Sequence, residues 1–376
     1  MRDVFVLGVG MIKFGRYPDR EVHELAADAA LLALQDAGMT IEDIGLLASG
    51  NLLQAGNMIG QRILRQIGQT GIPVVNLANA CATGSTAFRD ACFAVGSGEY
   101  EIAMAVGSEQ MGKAGLLGDG SGGESVEGIL GSGLMPAVFG QAGVEHMRTY
   151  GTTVEHFAKV SVKNHKHSVH NPLSQYQVEV SLADVMQARM VAYPNTLYMC
   201  CPTGDGAAAA IVGSADTLKK FDKPPVKVAC SVLTSDPWTP RNLTMPDVST
   251  LTRNAAKLAY DRAGIGPDDL DLVELHDCFA TAELLHYENL GLCREGDAGR
   301  AVDEGWFEHG GRLPVNVSGG LLSKGHPLGA TGVANIHEIV TQLRGDAGAR
   351  QVPNAKVGLA HVIGLGSACT IHILTV

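Results

Sequence analysis

The positions of apolar and polar residues along the chain predict repeated helix–strand units. Residues 25–38 read LAADAALLALQDAG, in which the apolar side chains recur with the spacing of one helix face and an Ala-Gly pair ends the segment. This pattern is typical of an amphipathic helix with a glycine just past its end. An acidic stretch and the apolar run LLASG at 46–50 follow, and residues 254–275 repeat this order of helix, Ala-Gly stop, acidic stretch and apolar strand.

The two copies can be aligned residue by residue. Placing Gly38 on Gly264 also places Gly50 on His276. Further along the chain, the segment 72–85 corresponds to 313–320, and 101–110 corresponds to 356–367. Alternating helices and strands repeated in this way indicate two α/β halves related by a pseudo-twofold axis, with sheets and helices packed in layers.

The alignment also gives expected domain boundaries. Residues 1–111 with 201–221 form the first half, residues 222–376 form the second, and residues 112–200 have no counterpart. We expect this unmatched segment to be an inserted loop domain, because an insertion this long in a repeat architecture is usually functional or a dimer contact.

Composition and charge exclude several classes of protein. The chain has 376 residues, of which 45% are hydrophobic and 18% charged, and its formal net charge is −11. An acidic balance argues against nucleic-acid binding, which needs a basic surplus. The eight cysteines are too sparse for a disulfide framework, and no Cys-x-x-Cys pair suggests a zinc or redox site. No window approaches a membrane span and no signal peptide is recognisable, so we expect a cytoplasmic protein.

The first candidate for chemistry is Cys81. It follows the apolar run PVVNL and precedes a helix of small residues. A thiol at a helix N-terminus is close to free backbone N–H groups, which favour the thiolate. The alternative is a buried structural cysteine.

The second candidate is His326, in the segment SGGLLSKGHPLGATG. The surrounding glycines would let a ligand approach the imidazole closely. A satisfied core or surface histidine is the alternative.

Three residues that can each move a proton, His276, Asp277 and Cys278, stand together where a predicted strand ends. Separately, they could be helix-capping and core residues, with Asp277 as the N-cap of a helix that begins near Phe279. Together they favour one site. The histidine run at 164–170 lacks metal-ligand spacing, and Cys200 with Cys201 leads a strand into a turn.

Four linked segments resemble the thiolase superfamily, in particular its sterol carrier protein x type. They are NACATGSTA at 79–87, ELHDCF at 274–279, NVSGGLLSKGHPLGATG at 316–332 and GLGSA at 364–368, and the resemblance spans essentially the whole chain. It implies a five-layered αβαβα fold. The common thiolases have Asn-Glu-Ala-Phe in place of His-Asp-Cys-Phe and carry a second cysteine near the C-terminus, which this chain lacks because Cys369 is too far along. The sterol carrier protein x type places that cysteine in the first motif.

The resemblance also implies roles for individual residues. Cys81 would be the acyl-accepting nucleophile, His326 the group that activates it, Cys278 the acid/base and His276 an oxyanion donor. Backbone N–H groups of Cys81 and of the turn from Gly364 to Gly366 would form a second oxyanion hole. Substrate-binding residues are expected at Ser318, Gly319, Lys163, His165 and Met147, and no metal site is expected. Further cations for coenzyme A (CoA) are expected at Arg148, Lys159 and Lys166.

The expected activity is CoA-dependent cleavage of 3-ketoacyl-CoA, or acyl-CoA condensation in reverse. CoA would be a substrate, and no cofactor would be permanently bound. A homodimer or tetramer is expected. The alternatives are an aldolase or acyltransferase component that works with a small zinc-ribbon/OB-fold partner, and a non-catalytic binding protein, which the intact set of reactive residues disfavours.

Overall fold

A computed structural model describes residues 2–112, 134–221, 223–237, 248–365 and 368–376. The Gly/Ser loop at 118–125 and Gly366 lie outside the described residues. The strands are β1 Val4–Met11, β2 Leu46–Gly50, β3 Val74–Leu77, β4 Ile102–Gln110, β5 Met190–Ala192, β6 Asn195–Thr196, β7 Asp205–Ser214, β8 Val226–Thr234, β9 Leu272–Glu274, β10 Val357–Gly364 and β11 Ala368–Thr375. The helices are α1 Val22–Ala37, α2 Ile59–Ile67, α3 Thr83–Ser97, α4 Met135–Tyr150, α5 Val154–Ser168, α6 Leu182–Gln187, α7 Val248–Ala263, α8 Ala280–Asn289, α9 Ala298–Asp303, α10 Gly320–Lys324 and α11 Thr331–Arg344.

Helix α1 shows how the local sequence sets its two ends. At its start, the Glu24 side chain accepts the Glu21 backbone N–H at 2.9 Å, which forms one arm of a capping box. At its end, Gly38 adopts a left-handed conformation with φ 65°, which costs glycine little. The Ala-Gly stop read from the sequence is therefore the end of the helix.

Strand pairing confirms the internal repeat. In the first half, Leu47 of β2 pairs in parallel with Val74 of β3 and with Met104 of β4. The second half repeats this arrangement around β9 with Val273, Val315 and Leu359. These are the residues that the sequence alignment placed on one another, although the counterpart of β3 is reduced to a single bridge at Val315.

The helices lie in three layers separated by the sheet strands of the two halves. Along β4, Met104 packs into a core shared with α1, whereas Ala103 and Ala105 pack into a core shared with α3 and α11. Because successive strand residues face opposite sides of a sheet, α1 and α3 cover opposite faces. In β10, Leu359 faces the core that contains α7 and Ala360 faces α11. The five-layered αβαβα fold is confirmed, with α3 and α11 in the central layer.

The strands of the two halves join into one nine-stranded sheet, in the order β3-β2-β4-β7-β1-β8-β11-β10-β9. The junction is a short antiparallel ladder in which Phe5 pairs with Lys227 and Val6 with Val226. Sequence analysis did not predict this junction, because a ladder of two residue pairs leaves no periodic signal.

The expected boundaries at 111, 200 and 221 stay a prediction. Among the described residues, no helix combines the length and the apolar character that crossing a membrane requires.

Candidate active site

The structure brings the four predicted catalytic side chains together, from both halves of the chain. Cys81 lies between β3 and α3, His276 and Cys278 between β9 and α8, and His326 between α10 and α11. The Cys81 Sγ atom and one ring nitrogen from each of His276 and His326 lie within 4.8 Å of one another. All four residues are buried.

A strained turn presents Cys81. Ala80 has φ 47°, in the left-handed region that a residue with a Cβ rarely adopts. The Thr83 hydroxyl holds this turn by accepting the Asn79 N–H at 2.8 Å and donating to the Ala80 carbonyl at 2.6 Å. The turn therefore fixes the thiol at the entrance to α3, a feature that sequence reasoning did not predict.

Burial opposes the effect of the helix N-terminus on the Cys81 thiol. Burial raises the pKa of the Cys81 thiol to about 12, against the opposing effect of the Leu365 and Cys81 N–H groups. Loss of hydration in this enclosed position outweighs the helix N-terminus. The resting Cys81 side chain is therefore a thiol.

Hydrogen bonds set the orientation of the neighbouring His326 ring. Its Nδ1 atom lies 2.7 Å from the Thr331 hydroxyl oxygen, and that hydroxyl donates to the Pro327 carbonyl at 3.0 Å. The Thr331 hydrogen is thus committed, so Nδ1–H of His326 donates to Thr331 and Nε2 carries the free lone pair. Nε2 is buried without a hydrogen-bond partner, and burial lowers the pKa of His326 to about 3. A neutral imidazole with a free basic nitrogen faces the site.

His276 lies edge-on to His326, with ring centroids 5.1 Å apart and planes at 78°. Burial lowers the pKa of His276 well below its usual range, and the charges of His326, His361 and His286 would lower it further. The neutral ring has one nitrogen that carries hydrogen, as an oxyanion donor requires.

Cys278 lies next to Cys201, a cysteine that the sequence analysis did not assign to the site. Cys200 forms an antiparallel bridge with Phe279, and the Cys201 N–H donates to the Cys278 carbonyl at 3.0 Å. Burial raises the pKa of Cys278 well above its usual range, and nearby Cys201 and Cys81 reinforce the shift. Three thiols thus lie close together, and only the strand-to-turn position of Cys201 hinted at this.

Asp277 is a cap, but of another helix than the one expected. Its carboxylate accepts the backbone N–H groups of Leu321 at 2.7 Å and Leu322 at 3.1 Å, at the start of α10. Gly320 makes the approach possible, since a Cβ there would lie 2.2 Å from the Asp277 carboxylate. Burial, with Glu283 nearby, raises the pKa of Asp277 to about 8.

The backbone turn after β10 approaches Cys81 as expected, through a different residue. Gly364 packs against the turn before Cys81, where an added Cβ would lie 2.6 Å from the Asn79 carbonyl. The Leu365 N–H donates to the Cys81 thiol. Gly364 therefore allows the approach and Leu365 supplies the donor, while Gly366 lies outside the described residues.

Ser318 and Gly319 are structural, which corrects their expected role in substrate binding. The Ser318 N–H and hydroxyl both donate to Glu274, at 3.0 and 2.5 Å. Gly319 has φ 102° and packs against Ser168 of α5. Ser318 is therefore bonded to β9 of its own half, and Gly319 packs closely against α5.

The expected role of Lys163 in substrate binding is also corrected. It is 6% exposed, and its ammonium group donates to Glu283 at 2.8 Å, to the Val315 carbonyl at 2.8 Å and to Asn164 at 2.5 Å. With three donors satisfied it has none left for CoA. The other expected cations form surface ion pairs: Arg148 with Glu145, Lys159 with Glu155 and Asp303, and Lys166 with Glu308.

A pocket of about 600 Å³ opens beside Cys201, one of the three thiols. Cys201 and Phe279 line its inner wall, and His165, an expected substrate-binding residue, lines its side. Arg16 and Arg189 contribute exposed guanidinium groups to its lining, and neither forms an ion pair with the described residues. Met147 packs against the core of the second half instead of lining this pocket.

Two family models match this chain: the thiolase N-terminal domain over residues 4–191 and the thiolase C-terminal domain-like family over residues 238–376. The chain belongs to the thiolase family. Sterol carrier protein 2 of Rattus norvegicus is 44% identical over 98% of this chain and 71% of its own length. Acetyl-CoA acetyltransferase of Methanothermobacter thermautotrophicus is 38% identical over the full length of both chains. Among solved structures, an Ltp2-ChsH2(DUF35) aldolase superposes with a TM-score of 0.85 at 25% identity, over 99% of this chain and 97% of that one.

Thiolase relatives support an acyltransferase that uses CoA as a substrate. The expected assignment to the thiolase superfamily is confirmed. Cysteine and histidine are also zinc ligands, and the absence of a metal from the Cys81, His276 and His326 group stays a prediction.

Proposed function

We propose that the chain cleaves 3-ketoacyl-CoA, and condenses acyl-CoAs in reverse, through an acyl group on Cys81. The observation that carries this proposal is the Cys81 thiol within 4.8 Å of a ring nitrogen of His326, whose Nε2 atom is buried without a hydrogen-bond partner, with His276 completing the group. A buried thiol beside a free imidazole nitrogen can attack a carbonyl carbon while the imidazole takes its proton.

The reaction has two halves. First, Cys81 attacks the 3-keto carbon, the bond between carbons 2 and 3 breaks, and Cys278 protonates the departing acetyl-CoA carbanion. Next, the deprotonated Cys278 takes the thiol proton of incoming CoA, the CoA sulfur displaces the acyl group from Cys81, and the Cys81 sulfur regains its proton from His326. The His276 ring and the N–H groups of Cys81 and Leu365 are the donors for the oxygen atoms that become negative.

CoA is proposed to occupy the pocket beside the thiols. Its pantetheine arm would pass His165 toward Cys201, and its phosphates would meet Arg16 and Arg189 at the lining. These two arginines replace the lysines of α5, whose charges are neutralised by carboxylates.

The test is a search for the acyl-enzyme. The protein is incubated with acetoacetyl-CoA, and peptide mass spectrometry locates the acetyl group. We expect an adduct on Cys81 that Cys81→Ala abolishes and Cys92→Ala leaves unchanged, because Cys92 is a buried thiol of α3 outside the site. Cys278→Ala should still acylate but turn over at least tenfold more slowly. Absence of both adduct and CoA-dependent cleavage, across short, long and steroid-chain ketoacyl substrates, would refute the proposal.

The aldolase alternative is kept because of the structural similarity to the Ltp2-ChsH2(DUF35) aldolase. An aldolase splits a 3-hydroxyacyl-CoA without consuming CoA and without an acyl-enzyme. Cleavage of a 3-hydroxyacyl-CoA that requires an added zinc-ribbon/OB-fold protein, with no Cys81 adduct, would favour this alternative.

A further inference from the structure

A buried carboxylate lies at the end of β4, in the half of the molecule opposite the histidines. Glu109 is fully buried. It accepts the backbone N–H groups of Leu52 at 2.9 Å and Leu53 at 3.3 Å, and the side-chain amide of Asn51 at 3.1 Å. These donors belong to the loop that follows β2.

The same carboxylate reaches the loop that carries His326. It accepts the backbone N–H of Gly329. That loop lies directly on the strand ends, since a Cβ added to Gly329 would lie 2.2 Å from the Ser108 carbonyl and 3.1 Å from that of Gly50. Glu109 therefore ties β4, the loop after β2 and the His326 loop to one another.

The internal repeat shows that the fold alone does not require this carboxylate. Met104 and Leu359 occupy equivalent positions in the two halves, which places Glu109 opposite Gly364. In the second half the equivalent strand end has no side chain. The asymmetry matches that of Gly50 and His276, so each half carries one polar side chain at a position where the other half has glycine.

The negative charge of Glu109 affects the pKa of Cys81. Cys81 is a titratable group close enough for a negative Glu109 to raise its pKa, in addition to the larger effect of burial. The other groups that contact the carboxylate, Asn51 and the backbone N–H groups of Leu52, Leu53 and Gly329, are uncharged donors. Burial raises the pKa of Glu109 itself to about 7, so its charge changes near neutral pH.

We propose that Glu109 is a positioning residue of the Cys81 site. Its carboxylate anchors the His326 loop to the strand ends, and its negative charge adds to the effect of burial in opposing ionisation of Cys81. The first role rests on the proposed acyl transfer, because it concerns the base for Cys81. The second concerns the thiol alone and holds whatever reaction the site performs.

Glu109→Gln separates these roles from a merely structural one. Alkylation of Cys81 by iodoacetamide, followed by peptide mass spectrometry across a range of pH, reports how readily the thiol ionises. Removing the charge should lower the pKa of Cys81 and speed alkylation about three- to tenfold above neutral pH. Acetylation by acetoacetyl-CoA should slow at least tenfold, because His326 loses its anchor.

The matched control is Glu338→Gln, which removes another buried carboxylate, one that pairs with Arg350 away from Cys81. It should leave the alkylation profile unchanged. If Glu109→Gln alkylates at the wild-type rate at every pH, the electrostatic role is wrong, and if it acetylates normally, the anchoring role is wrong.

The wild-type protein provides a test that does not depend on the variant folding. Below the pKa of Glu109 the carboxyl is neutral, and above it the negative charge holds back ionisation of Cys81. The alkylation rate should therefore rise by less than about tenfold per pH unit across neutral pH, and more steeply on either side. A uniform slope would overturn the proposal. Failure of acetylation in the wild type would instead count against the thiolase activity and leave this measurement intact.

Discussion

At the scale of single residues, the site holds its reactive groups without charge. The pKa of Cys81 is raised to about 12 and that of His326 is lowered to about 3, both chiefly by burial. In the proposed reaction the proton moves from sulfur to nitrogen during the attack, and the orientation of the imidazole decides how readily it moves.

Thr331 fixes that orientation. Thr331→Val removes the acceptor for Nδ1–H and leaves a buried donor unsatisfied, which should cost about 1–3 kcal/mol of folding free energy. Acetylation of Cys81 should slow about 10- to 100-fold, as measured by rapid mixing and mass spectrometry. Thr341→Val, which removes a hydroxyl bonded to the His337 carbonyl on the same helix, is the control and should acetylate normally. Normal acetylation of Thr331→Val would mean that the ring is held by other contacts.

Lys163 should matter for stability and not for CoA affinity. Lys163→Met leaves Glu283 as an unpaired buried carboxylate, which should cost about 3–5 kcal/mol in the free energy of unfolding. The folded fraction should bind CoA with the wild-type Kd. Chemical denaturation and calorimetric titration measure the two quantities. A large increase in Kd without loss of stability would restore Lys163 as a CoA ligand.

Arg189, in contrast, should matter for CoA affinity and not for stability. It is exposed and lines the pocket beside the thiols, so Arg189→Gln should leave the free energy of unfolding within about 0.5 kcal/mol. The KM for CoA should rise about five- to tenfold, while kcat stays the same. Arg253→Gln, an exposed arginine outside the pocket, is the control. An unchanged KM would place the CoA phosphates elsewhere.

At the scale of elements, the central helices α3 and α11 set the distance between nucleophile and base. Their first turns touch at Gly332, where an added Cβ would lie 2.3 Å from the Ser85 backbone nitrogen. Cys81 precedes α3 and His326 precedes α11, so a change in this contact moves the two reacting groups apart.

Gly332→Ala therefore tests the helix contact directly. Forcing the helices apart should cost about 2–3 kcal/mol, and misplacing the two groups should reduce acetylation of Cys81 about 100-fold. Gly56→Ala, where the added carbon meets nothing within 4 Å, should have neither effect. Thermal unfolding and the adduct assay measure both outcomes. A wild-type rate of Cys81 acetylation in Gly332→Ala would show that the helices accommodate the added carbon without moving Cys81 away from His326.

The sequence predicted features that repeat or that carry a linked motif. The alignment of Gly38 with Gly264 predicted the strand pairs around Leu47 and Val273, because both copies keep the same order of apolar runs. The motifs predicted that Cys81 and His326 meet, although their roles in catalysis stay predictions. Long-range burial was not predictable: Lys163 and Arg189 look alike in sequence, and only the packing of α5 on α8 shows which one is buried.

At the scale of the whole molecule, the central layer belongs to both halves. One core cluster contains Phe88 and Ala91 of α3 together with Val333 and Ile336 of α11. Neither half can bury its side of this core alone.

Separated halves should therefore fail to fold on their own. Chains of residues 1–221 and 222–376 should each lack a cooperative thermal transition, whereas the intact chain should unfold in one transition. Differential scanning calorimetry measures this. Two independent transitions in the intact chain would show that the halves are separate folding units.

The difference between the two strand ends also sets how many acyl groups one chain can hold. In the proposed mechanism His276 and Cys278 act beside Cys81 from the end of β9, but the pseudo-symmetric end of β2 has Gly50 and Leu52 in their places. A doubled fold has two such ends, and only one of them carries groups that handle protons. Saturating the protein with acyl donor should therefore label it to a limit of one equivalent per chain.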